Sequence, residues 1–157
     1  MADVVCNIAA GRGNEFWRRV VANDPTNSAL VLVLLKTGDT DDNYRDFDTL
    51  AALLAGASEE CDFTNYARQV FTDADLSNPT VDDTNNRQDA SITQKTISSA
   101  GGATNNTIVR GVVCYDPDST GGTDSDIIPI GVYDASVTTN GQDLVISAGI
   151  VYRATSS

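Results

Sequence analysis

Nine consecutive residues, SALVLVLLK at 28–36, constrain the fold more than any other stretch. The run is rich in Val and Leu, is bounded by turn residues, and is far too short to span a bilayer. It reads as a strand buried on both faces. The chain of 157 residues has the size of one domain, 1–157, with a helix-containing part at 1–60 and a β-rich part at 61–157. A composition of 41% hydrophobic and 20% charged residues argues against wholesale disorder.

Before the run, residues 3–10 suit a short strand or an extended arm. In NEFWRRVVAND, Phe16, Trp17, Val20 and Val21 recur at helical spacing. Asn14 is the expected N-cap, Glu15 can pair with Arg18 or Arg19, and Pro25 stops the helix. After the run, 37–46 reads as an acidic loop. A second short helix is expected at 48–56, with Asp48 as cap and Gly56 as terminator. Residues 63–71 fit either a helix or a strand. Residues 73–89, with Pro79, read as a long polar loop of the kind that often forms contact surfaces.

From residue 90 the pattern is β throughout. Strands are expected at 91–98, 107–115 and 127–137, with a turn region at 101–106. Pro129 marks an edge or a bulge. Asn140-Gly141 is a strong hairpin signal, and 143–153 should close that hairpin with Leu144, Ile146, Ala148, Ile150 and Tyr152 on one face. The expected fold class is α+β, mainly antiparallel β, a sandwich or flattened barrel with one or two short helices in the N-terminal half.

The charge balance narrows function. Lys and Arg number 10 against 22 Asp and Glu, a net charge of -12. Such a chain should repel nucleic acid and acidic membranes. The excess either keeps the surface hydrated or suits docking onto a basic partner surface. The absence of histidine removes Ser-His-Asp and Cys-His nucleophilic pairs. Cys6, Cys61 and Cys114 are too dispersed for a zinc or redox motif and read as buried free thiols, one disulfide remaining open. MADVVCNIAAGRG lacks the pattern of a signal peptide, so a soluble protein made without a secretion signal is expected.

The stretch CYDPDSTGGTDSDIIP at 114–129 places Asp116, Asp118, Asp124 and Asp126 around two glycines. They are weak calcium candidates, because calcium takes about six to eight oxygens. The spacing lacks the terminal Glu of an EF-hand, and β structure follows. A strand connection explains more: Pro117 suits a turn, Gly121-Gly122 allows positive φ, and the aspartates can bond nearby amides. Asp39, Asp41 and Asp42 are weighed the same way. Paired carboxylates could also cleave a sugar, but these acids sit in polar loops with nothing evident to raise a pKa. GRG at 11–13 and AGG at 100–102 complete no nucleotide signature. Trp17 and Phe16 read as core; Trp17, Arg18 and Arg19 are the interface candidates.

Several segments together resemble a group of small virion proteins of tailed bacteriophages: DFDTLAALLAG, TNYARQVFTDADL, NRQDASIT, and the long stretch from GGATNNTIVRG to NGQDLVI. In that group a Tyr-Ala-Arg strand precedes a polar loop, then a strand ending in an aromatic-Asp pair, a Gly-rich turn and a terminal hairpin. The corresponding parts here are Tyr66-Ala67-Arg68, Tyr115-Asp116, Gly121-Gly122 and Asn140-Gly141, within roughly residues 46–150. The resemblance implies a β-rich structural protein of heads or tails, working as repeated copies. It offers no catalytic residue or cofactor, and it favours strand at 65–72. The Trp17 helix and the 28–36 strand have no clear counterpart in it. The expectation is a non-enzymatic virion protein, assembled in the host cytoplasm. Its expected role is that of a capsid decoration (cement) protein, a homo-oligomer whose partner is the major capsid protein or another virion protein. The alternatives are a tail or head–tail component, or a calcium-dependent glycan-binding or glycan-cleaving module.

Overall fold

The computed structural model describes residues 3–77 and 80–155. Pro79 lies outside them. The strands are β1 (Val4–Val5), β2 (Ala29–Thr37), β3 (Glu59–Glu60), β4 (Gln69–Phe71), β5 (Thr80–Asp82), β6 (Arg87–Ile92), β7 (Lys95–Ala100), β8 (Thr107–Asp116), β9 (Ile128–Thr138), β10 (Gln142–Ile146) and β11 (Gly149–Thr155). The helices are α1 (Gly13–Ala22), α2 (Asp41–Asp46) and α3 (Leu50–Ala55). The fold is α+β, mainly antiparallel and sandwich-like, as the sequence leads one to expect.

The main sheet runs β1-β9-β8-β2-β3, with β4 sharing the outer edge of β2. At its centre β2 is buried on both sides, and its alternation divides the core. Val31, Val33 and Leu35 pack with Val112, Cys114, Val132, Tyr44, Leu50 and Leu53, under α2 and α3. On the other face Leu30 packs with Phe16, Trp17, Val20, Phe71 and Tyr115, under α1. Leu34 joins Phe63, Ile97 and Ile108 in a third cluster. Two small sheets, β10-β7 and β11-β6-β5, complete the structure. Strands of period two facing helices of period 3.6 produce this layering.

Several local expectations change. The segment 37–46 is not only a loop: Thr40 Oγ1 accepts the Asn43 N–H at 3.3 Å and starts α2, whose Tyr44 is fully buried. Asp41 and Asp42 in its first turn suit the positive helix end. Three helices therefore stand where one or two were expected. Asn14 lies inside α1, whose N-cap position is Arg12, and α1 ends at Asn23, with φ 49°, before Pro25 is reached. Thr49, not Asp48, caps α3, accepting the Ala52 N–H at 3.1 Å. Residues 69–71 form a strand against β2, Leu30 opposite Phe71. The expected long loop at 73–89 contains a 3₁₀ turn at Asp73–Asp75 and the β5–β6 hairpin. The strand expected at 91–98 is broken after Ile92, and its halves enter different sheets.

The largest correction concerns the C-terminal hairpin. Asn140-Gly141 does turn the chain, with Gly141 at φ 88° and Asn140 Oδ1 accepting the Gln142 N–H. The Gly141 N–H, however, donates to the Ala100 carbonyl at 2.8 Å. Strand β10 then pairs with β7, and β11 with β6, rather than folding back on β9. Alternation reports which side of a strand is buried, not which strand lies beside it. Pro129 sits at a bulge, where Val113 and Cys114 oppose Gly131 and Pro129.

Candidate functional site

The 114–129 stretch connects β8 to β9, and its aspartates divide into separate duties. Asp118 Oδ1 accepts the Thr120 N–H at 3.2 Å and its hydroxyl at 2.7 Å, which holds the Asp118 carboxyl below its ordinary range. Asp126 Oδ2 accepts the Thr123 N–H at 2.9 Å and the Thr123 hydroxyl at 3.1 Å. These are turn bonds of the kind expected from the sequence. Gly122, at φ 76°, makes the reversal possible.

Asp124 faces inward. Arg68, just before β4, reaches its two oxygens at 2.6 and 3.0 Å, and Glu60 of β3 at 2.8 and 2.7 Å. The guanidinium thus ties the β8–β9 connection to the edge of the main sheet. It lowers the Asp124 carboxyl, and the two carboxylates raise Arg68. Tyr66 donates to the same Glu60 at 2.7 Å and accepts the Leu34 N–H. The Tyr-Ala-Arg segment is therefore a polar clasp around β2.

Asp116 differs from its neighbours. It is 8% exposed, and burial raises its carboxyl. The sequence reading, that nothing would raise a pKa in this loop, is corrected here: the residue ends β8 and lies against the sheet. Its Oδ1 accepts the Asp118 N–H at 3.0 Å. Asp116, Asp124, Arg68, Val31, Val70 and Ile127 line a hollow of about 250 Å³. Among the described residues, no group of three or more carboxylates or thiols comes together as metal ligands.

The interface candidates separate as well. Trp17 is 2% exposed, and its Nε1–H donates to the Ser77 carbonyl at 2.9 Å, so it is core and not available to a partner. Arg18 and Arg19 are exposed on α1. Arg19 pairs with Glu15 at 3.1 Å, and Arg12 pairs with it at 3.0 Å from the other side. Asp41 was read as a loop acid; instead it reaches Arg110 at 2.9 Å, and Arg110, 1% exposed, also binds Asp134 and lies over Tyr44. Asp39 accepts the Thr40 N–H and the Asn43 amide. Asp42 pairs with Arg45.

The three cysteines are buried and unbridged. Burial pushes the Cys6 thiol up to about 11 and Cys61 up to about 12, and raises Cys114 as well. At neutral pH all three stay protonated and act as small core residues.

No family model, no curated protein and no solved structure matches this chain. The Arg68 clasp and the buried Asp116 were missed in the sequence because Asp124, which Arg68 also grips, is 56 residues away, and Val31 and Val70, which line the hollow with Asp116, come from distant strands. The Tyr-Ala-Arg triplet was the one available hint.

Proposed function

We propose that this chain is a non-enzymatic structural protein of a tailed-phage virion, a decoration (cement) protein that adheres to the assembled capsid shell as repeated copies. The observation that carries the reading is where its exposed aliphatic side chains lie. Among the described residues six large aliphatic side chains are at least 36% exposed, and five of them, Val5, Val70, Val81, Val145 and Ile150, sit on strands at the edge of their sheets, β1, β4, β5, β10 and β11; the sixth, Val137, lies on β9, which β1 and β8 flank. Edge strands with apolar side chains are natural sites for pairing with other chains. The carboxylates that could nominate an active site are instead bonded to nearby backbone amides and hydroxyls or paired with Arg68, Arg110 and Arg45. The likeness of residues 46–150 to small phage virion proteins supplies the setting.

Burial of surface across joints between shell subunits would be the physical work, and a specific contact typically buries about 1,200–2,000 Å². Quantitative mass spectrometry of separated heads and tails tests the proposal. The expected result is many copies in fixed ratio to the shell protein, all with the heads. A few copies purifying with tails would make the chain a tail or head–tail component. Glycan turnover lost on Asp116→Asn would replace adhesion with sugar chemistry.

A further inference from the structure

We infer that the hollow between β4 and the β8–β9 connection is a socket for a lysine or arginine side chain of a partner protein. That the partner is a protein rests on the adhesive reading above; the socket itself is tested without it.

The floor of the hollow is Asp116, more than nine-tenths buried. Only its Oδ1 receives a protein hydrogen bond, from the Asp118 N–H. Oδ2 takes none from any described residue, and Asp116 lines the open hollow, so this oxygen is free to accept a bond from an incoming donor. Val31, Val70 and Ile127 form an apolar wall, and Arg68 with Asp124 closes the other side. The Arg68 charge is already engaged by two carboxylates, Glu60 and Asp124. One cation against three carboxylates leaves two negative charges around the space. An anion is disfavoured there. A calcium ion would find too few free oxygens, since it takes about six to eight. A long basic side chain meets both demands, its aliphatic stem against the valines and its head on Asp116.

The charge of the whole chain points the same way. Nine of its ten Lys and Arg residues pair with its own carboxylates; Arg18 is the one for which no ion pair forms among the described residues. The surplus of -12 is therefore acidic surface without internal compensation, and it steers basic partners toward the socket.

The test is an NMR titration of the ¹⁵N-labelled full chain with three probes: the N-acetyl methylamides of lysine, arginine and norleucine. The two basic probes should give saturable shifts confined to amides of 116–127. Norleucine, with the stem but no charge, should bind roughly tenfold more weakly, the equivalent of about 1.4 kcal/mol. Asp116→Asn, which keeps an acceptor for the Asp118 N–H, should weaken the basic probes by a similar factor without lowering the melting temperature. Asp83→Asn, an exposed acid in the β5–β6 turn, should change nothing. The inference fails if no localised shift occurs, if norleucine binds equally, or if Asp83→Asn weakens binding as much. It fails also if calcium chloride gives the same shifts at lower concentration, or if self-association lost in Arg18→Ala shows a second copy filling the hollow. None of these probes involves a virion particle, so a failed socket leaves the adhesion proposal to its own test.

Discussion

Asp116 and Asp124 stand eight positions apart in one connection, yet their environments drive them in opposite directions. Arg68 lowers Asp124, so its ion pair adds stability above the unfolded carboxylate value, about 3.9, and loses it as pH falls through the lower folded value. Burial raises Asp116, so its ionised form costs stability. That cost is absent below the unfolded value, grows as pH rises toward the folded one, and persists above it. Urea denaturation of Asp116→Asn should therefore show a chain at least as stable as wild type at pH 7, and any gain should vanish at pH 3. A wild type more stable at pH 7 would mean that the charge is well compensated inside the chain. The turn roles of Asp118 and Asp126 were legible because Asp, Gly and Pro act on their immediate neighbours. The burial of Asp116 was not, because Val31 and Val70, which line the same hollow, come from strands far away in sequence.

Elements with a clear period were readable. The apolar run at 28–36, the Phe16-Trp17-Val20 stripe and the leucines of 50–54 each carry their burial pattern in their own spacing. α2 was hidden because its acids look like a loop, although two of them sit where the helix dipole favours negative charge. The partners of β10 and β11 were hidden because a turn signal fixes where a chain reverses, not what it meets next. One close approach fixes where β11 lies. A Cβ at Gly13 of α1 would come within 2.7 Å of the Tyr152 ring. Gly13→Ala should therefore lower stability by about 1–3 kcal/mol, and Tyr152→Leu in the same chain should restore part of it. Thermal melts check this; an unchanged melting temperature would mean that β11 does not pack on α1.

Across the whole molecule, a buried central sheet with two small sheets beside it leaves aliphatic side chains on several edge strands, within a strongly acidic surface. The proposed adhesive role rests on that surface. Charge should steer its first encounter, and apolar burial should hold the contact, so association should slow more than it weakens as salt rises. None of this partner geometry is written in local sequence, since an interface depends on a second surface.

The most direct measurement is sedimentation of the purified chain with stripped phage heads. Uptake should saturate at a fixed ratio to shell protein and fall for charged substitutions at Val70 and Val81. The chain remaining in the supernatant at every concentration, or binding without saturation, would contradict the adhesive account.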